Sequence, residues 1–429
     1  MKRFALAAIA AVLVVLASAR PARAEGGMSI DQAVAIALQR NRDVLATKLD
    51  IEAAQIDKIA ASVYPNPIFS YTAGNVVVGQ GNPQDRGLDP GPFSQLVHTV
   101  GVSEIIDVWA KRSARMHAAD KGIEHRRLLV EDAIREIGYS VRAAFVDLVR
   151  EQLENELAHT MKARYDDTIR INASRYRAGE ISEADFRKIE LEGMKYQNAV
   201  VDADTELDLS RQRLAVLCGL GSAGELPGPA FMANEAREAP SLAALTTRAL
   251  QDRPDLRAAS QGRDLADATL ASAKRDAYPD ISLGVAFTHS GFQVSGDNPN
   301  ALALTLSLPL PVFDRNQAAI ARSRNDAKRF DNDVARLELQ IRSEVAQSVR
   351  RLERASGLLD IYEQGGMLER ADRALKVAET SYRAGSISLI ELLESQRTFI
   401  ETRAQYLRAQ HDYRQATVDV AHATGKKAQ

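Results

Sequence analysis

Between Gln95 and Ile106 the chain alternates, with Leu96, His98, Val100 and Val102 on one side and Val97, Thr99, Gly101 and Ser103 on the other. A period of two predicts a strand. From about Val108 to Arg175 this gives way to a polar, alanine-rich stretch with no proline and only two glycines, Gly122 and Gly138. At about 1.5 Å per residue, that stretch predicts a helix roughly 100 Å long. Upstream, Ser29-Ile30-Asp31-Gln32 reads as a helix start, with Ser29 as cap, and the helix runs to about Ser62. Tyr64 to Val78 is extended and ends in the Gly/Pro/Asp-rich loop Gly79 to Ser94. After the long helix, the segment 176–182 predicts a tight tip, followed by helix over 183–218.

The scheme then repeats. Tyr176-Arg177-Ala178-Gly179-Glu180-Ile181-Ser182 recurs 206 residues later as Tyr382-Arg383-Ala384-Gly385-Ser386-Ile387-Ser388. An earlier pair, Ala61 to Pro67 and Lys274 to Asp280, marks a similar offset, each ending a helix and opening strand-like residues. The chain thus divides into a first repeat, 25–218, a Gly/Pro/Ala-rich linker, 219–240, a second repeat, 241–424, and a short tail, 425–429. In the second repeat the pattern predicts strands over 281–292 and 301–310, joined by the turn Ser295 to Pro299. A helix capped by Asp314 and running to Tyr382, a tip over 383–388 and a helix over 389–424 follow. Pro254 in Asp252-Arg253-Pro254-Asp255 cannot sit in a helix interior, so a break is expected there and at its counterpart, Asn41-Arg42-Asp43.

Helices this long have too little apolar surface for one compact core, so they must pack side by side on narrow seams. The four strands are long enough to cross a bilayer when tilted. Four strands cannot close a barrel, and an open sheet edge cannot face lipid. Two chains would give eight strands around a filled interior; three would give twelve around a channel. The expected class is therefore mainly α with a membrane β part: tandem long helical hairpins forming a trimeric α-barrel, plus four strands per chain in a twelve-stranded transmembrane barrel.

Composition narrows the picture. Lys2 and Arg3 precede an apolar run from Phe4 to Leu16, and Ala22-Arg23-Ala24 supplies a small-x-small cleavage site. Residues 1–24 therefore predict a signal peptide. Its removal takes Lys2, Arg3, Arg20 and Arg23 away and moves the net charge from −2 to −6, a balance that disfavours nucleic acid. The single cysteine, Cys218, rules out an intramolecular disulfide and a lipid anchor at the cleavage site, and reads as a small packed residue. No mature segment has about 20 uninterrupted apolar residues. His117 and His125 are eight apart on one helix, too far to share an ion, and the other histidines and the methionines are scattered. No phosphate loop or nucleophile motif is present, so no enzyme, cofactor or resident metal site is expected.

The repeat, the Tyr-Arg-Ala-Gly-x-Ile-Ser tips, the Tyr64-Pro65-Asn66-Pro67 strand entry and the run Pro309 to Gln317 together resemble the TolC family of outer-membrane efflux factors. That last run and its partner Trp109 to Arg115 are most similar to the heavy-metal, CzcC-like branch. The resemblance implies a homotrimer in the outer membrane, with its helical part in the periplasm, joined through a periplasmic adaptor to an inner-membrane pump of the RND type. It implies adaptor docking at Arg177, Ala178, Gly179 and Ser182 and at Arg383, Ala384, Gly385 and Ser388, where both glycines permit a left-handed turn. It also implies acidic selectivity rings at Glu391 and Glu394, which lie three apart on one helix face, and a gate-locking hydrogen bond involving Tyr382 and Asp185. The plainer alternatives are ordinary helix-hairpin turns, a solvated helix face and simple packing of Tyr382. The same duct could serve drug or small-molecule efflux or type I secretion. A periplasmic adaptor or scaffold is the competing class, and predicts one hairpin flanked by compact β domains.

Overall fold

The computed structural model describes residues 27–76, 96–229, 241–291 and 298–425; the expected signal peptide, strand residues 77–78 and 292, the loop 79–94, half of the linker, turn residues 295–297 and nearly all of the tail lie outside them. The first repeat holds α1 (Ile30–Arg40), α2 (Arg42–Ser62), β1 (Ile68–Gly74), β2 (Val97–Ile106), α3 (Lys111–Arg177) and α4 (Glu183–Leu217). The second holds α5 (Leu242–Asp252), α6 (Pro254–Asp276), β3 (Ile281–Ser290), β4 (Asn300–Ser307), α7 (Gln317–Gln364), α8 (Met367–Arg383) and α9 (Leu389–Ala423).

The helix expected over 314–382 is two helices. Gly365 ends α7, and Gly366, at φ 59°, caps α8 in the left-handed region. Nor does Asp314 cap α7 directly: its carboxylate accepts from the Asn316 N–H, and Asn316, left-handed at φ 57°, is the cap residue. The first repeat builds the same corner with Ala110 at φ 53° and Asp107, whose two oxygens accept from the Lys111 and Arg112 N–H groups. The expected strands are shortened. Prolines 65 and 67 lack donors, so β1 begins at Ile68 rather than Tyr64, and β4 stops at Ser307 ahead of Pro309.

The four strands form one antiparallel sheet in sequence order, and the β2–β3 pairing joins the two repeats. Register gives the sheet two unlike faces. Phe69 pairs with Val102, Val102 with Val285 and Val285 with Leu304, while Ser70, Gly101, Ala286 and Ala303 line up on the other face. One face is large and apolar, the other small and polar, as a barrel between lipid and water requires.

Each repeat has its own core at the middle of the molecule. In the first, Val34 and Ala37 of α1 meet Phe145, Leu148, Leu214 and Cys218. In the second, Leu245 and Ala249 of α5 meet Leu256, Ile341, Val345 and Ala423. Elsewhere α3 packs on α2, α4 and α6, and α6 on α7, so the helices nearest the sheet form a wall one helix thick. No described helix is long and apolar enough to cross a membrane.

Candidate functional site

Both tips end their helices by the same device. The Gly179 N–H donates to the Tyr176 carbonyl at 3.0 Å and the Glu180 N–H to the Arg175 carbonyl at 2.9 Å; Gly385 and Ser386 repeat this on Tyr382 and Ser381 at 3.0 and 2.8 Å. These are the paired bonds of a Schellman turn, which requires the left-handed φ of 78° at Gly179 and 74° at Gly385. A Cβ on either glycine would meet nothing within 4 Å, so the space beside each tip is open. Arg177, Ala178, Gly179, Ser182, Arg383, Ala384, Gly385 and Ser388 are all exposed, and Arg177 folds its guanidinium back onto the Ala173 carbonyl.

The acids beyond the tips have local partners. Ser182 caps α4, accepting from the Asp185 N–H at 3.1 Å and donating its hydroxyl to Asp185 Oδ2 at 2.7 Å. Ser388 caps α9 by a full capping box: its hydroxyl accepts from the Glu391 N–H at 3.3 Å, and its own N–H donates to Glu391 Oε2 at 2.8 Å. Glu391 thus holds up a helix end. Glu394, one turn on, is exposed like Glu391.

Tyr382 and Asp185 are not brought together within the chain. The Tyr382 hydroxyl donates to Asn172 Oδ1 at 2.7 Å, in a site where Asn172 is fully buried. Asn172 spends its amide on the Thr168 carbonyl at 2.8 Å. Arg175 adds bonds to the Tyr382 and Arg383 carbonyls at 3.2 and 3.1 Å, with its guanidinium 5.1 Å from the Tyr382 ring centre. Farther from the tip, Arg164 reaches Glu379 at 3.5 Å. Five side chains on α3 and α8 therefore clasp the second hairpin to the first. Asn172 and Arg175 belong to no motif of the sequence, where their only signal is polarity three residues apart on a seam-forming helix.

Away from the tips, Tyr165 stacks on Tyr196 and donates to the Ile189 carbonyl at 3.0 Å. Burial pushes the Tyr196 phenol up to about 12, so it stays neutral. Burial likewise pushes the Cys218 thiol up to about 11, an inert group packed against the Ala33 carbonyl. Three of the histidines have separate partners: His125 the Ala258 carbonyl, His411 the carboxylates of Asp147 and Asp412, and His159 Asp204. Among the described residues, no group of three His, Cys, Asp or Glu side chains converges as a metal site.

Outer membrane efflux proteins match this chain over residues 33–220 and 245–426, one stretch per repeat. The chain belongs to the outer membrane efflux protein family. It is an outer-membrane efflux channel subunit, a non-enzymatic transport component with its helical part in the periplasm. Efflux proteins of this family form homotrimeric channels that work with a periplasmic adaptor and an inner-membrane pump. The cobalt-zinc-cadmium resistance protein CzcC of Cupriavidus metallidurans is 22% identical over 408 residues, 95% of this chain and 92% of that protein. The pyoverdine export outer membrane protein OpmQ of Pseudomonas putida is 23% identical over 92% of this chain and 85% of its own. Among solved structures, the outer membrane protein VceC of Vibrio cholerae superposes with a TM-score of 0.71 at 17% identity, covering 93% of this chain and 97% of that one.

Proposed function

We propose that this efflux channel is the exit duct for heavy-metal cations, fed by an RND-type pump through its adaptor. The observation that carries the reading is the likeness to CzcC along 95% of the chain. The exposed pair Glu391 and Glu394 supports it. In a threefold tube they would form two stacked acidic rings at the periplasmic mouth, drawing cations in and repelling anions by Coulomb forces that strengthen in a narrow pore. No coordination is needed: the cation is cargo, and weak, repeated attraction lets it leave as readily as it enters. The open space beside Gly179 and Gly385 fits an adaptor's helical hairpin against each tip. The clasp of Tyr382 on Asn172 would hold the mouth narrow until such docking loosens it.

Deleting the gene should sensitise cells to divalent cobalt, zinc or cadmium, with complementation by the intact gene restoring growth. The likeness to OpmQ favours a second reading, in which the duct serves small organic molecules. Sensitisation to hydrophobic antibiotics or loss of siderophore export, with unchanged metal tolerance, would select that reading instead.

A further inference from the structure

Val108, Trp109 and Ala110 lead from β2 into α3, and Ala277 and Tyr278 lead from α6 into β3. The two connections lie side by side where the sheet meets the helices. Trp109 stacks on Tyr278 with ring centres 4.7 Å apart, and its indole N–H donates to the Pro279 carbonyl at 3.0 Å. Both rings remain exposed, at 40% and 51%. Together with Leu270 and Lys274 of α6 they line an open cavity of about 940 Å³.

Helical geometry says which side of the wall this is. At about 100° per residue, Asp267, Leu270, Ala271 and Lys274 share one face of α6, while Thr269, Ser272, Ala273 and Asp276 share the opposite one. The second set lines a different cavity, of about 660 Å³, together with Arg115, Asp314, Arg322 and Asp326. One side of the wall is thus ion-rich and the other aromatic. In a barrel that separates water from lipid, the ion-rich side belongs to the duct and the aromatic side to the membrane. The cavity also sits mid-wall. β2 and β3 are the central strands, and α3 and α6 the central helices, so β1, α2, β4 and α7 are the edges that meet neighbouring copies. Its lining comes from one chain: Val108 to Ala110, α6 with Ala277 and Tyr278, and Ile320 at the start of α7.

We propose that this cavity seats an anionic phospholipid of the periplasmic leaflet of the outer membrane. Lys274 and Arg275 are two cations against one carboxylate, Asp267, in the lining. Arg275 is fixed at the rim by its bond to the Ala110 carbonyl at 2.8 Å, and exposed Lys274 is placed to meet the phosphate. Trp109, Tyr278 and Leu270 take the glycerol and first acyl carbons, the depth at which indole and phenol rings settle in bilayers.

Native mass spectrometry of the detergent-extracted trimer tests this, with phosphatidylglycerol, phosphatidylcholine of the same chains and glycerol phosphate as probes. Phosphatidylglycerol should be retained over phosphatidylcholine, and Lys274→Gln should cut its retention about tenfold, the worth of one charge-assisted hydrogen bond. Lys274→Arg should preserve it. A heat-resistant trimer on semi-denaturing gels confirms assembly of each variant. Equal retention in Lys274→Gln, equal retention of both lipids, or equal binding of glycerol phosphate would overturn the proposal.

Discussion

Asn41 in the first repeat and Arg253 in the second stand at the same joint, between a short entry helix and its continuation. Each reaches the end of its repeat's last helix: Asn41 Nδ2 donates to the Leu217 carbonyl at 2.9 Å, and Arg253 Nη1 to the Ala423 carbonyl at 3.4 Å. Behind each carbonyl a left-handed glycine, Gly219 or Gly425, lies against that joint. The chemistry differs. Asn41 is a neutral cap that accepts from the Asp43 and Val44 N–H groups. Arg253 instead starts α6 with Pro254 behind it and holds Asp255 and Glu344 in ion pairs while only 3% exposed. Burial alone would lower the pKa of Arg253 and raise those of the two acids, but their mutual hydrogen bonds reverse all three shifts and keep every group charged. A duplicated joint has thus been kept in geometry and rebuilt in charge.

The long helices diverge more sharply. α3 runs 67 residues unbroken, whereas its counterpart is interrupted at Gly365 and Gly366, 17 residues of α8 above the tip. The clasp of Arg164, Asn172 and Arg175 joins the unbroken helix to the interrupted one. A stiff post and a jointed arm, held together by releasable polar contacts, is an arrangement suited to a mouth that opens.

The joint gives the largest expected difference. Arg253→Ala leaves two carboxylates without their cation and should cost about 3 kcal/mol in urea denaturation of the trimer. Asn41→Ala removes a neutral cap and should cost about 1 kcal/mol; equal losses would mean the two joints are energetically alike. At the clasp, Tyr382→Phe strands the buried Asn172 oxygen, at about 1 to 2 kcal/mol, and should raise single-channel conductance. Asp185→Asn, on an exposed cap, should leave conductance unchanged; the reverse pattern would restore Asp185 as the partner of Tyr382. Gly366→Ala should destabilise by about 1 kcal/mol because its φ is left-handed. Gly357→Ala in mid-α7, where a Cβ meets nothing within 4 Å, should stabilise by a few tenths to 1 kcal/mol.

The smallest effect is a pH dependence at His411 and Asp147, 2.8 Å apart. The hydrogen bond from His411 lowers Asp147, so that contribution is full above the ordinary value of 3.8 and fades as pH falls through the lowered one. Burial would lower His411, yet its bonds to Asp147 and Asp412 outweigh this and raise it. Its contribution is full below 6.5 and fades as pH rises through the raised value. Unfolding free energy measured against pH should therefore lose this increment as pH rises from 6.5 through the raised value, and His411→Gln should flatten that slope.

Much of this was written in the chain. The break at Asn41 was readable because its duplicate carries Pro254, a residue no helix interior tolerates. The break at Gly365-Gly366 was not foreseen, since α3 offered an unbroken template, although two adjacent glycines each cost about 1 kcal/mol in a helix. At the tips, the spacings Ser182-x-x-Asp185 and Ser388-x-x-Glu391 are those of a capping box, a local rule that accounts for where the acids stand before any pore is invoked. The bond from Tyr382 to Asn172 spans 210 residues of sequence and follows only from the placing of the second hairpin, α8 with α9, against α3.

The capping role of Glu391 shows how to test the central claim, that the acids of the mouth make this duct favour cations. Glutamine keeps the capping box and removes the charge. Reversal potentials of the purified trimer in planar bilayers under a potassium chloride gradient should report cation preference. Glu391→Gln combined with Glu394→Gln should move the potential toward zero while the trimer stays heat-resistant. An unchanged potential in the assembled double variant would contradict the account.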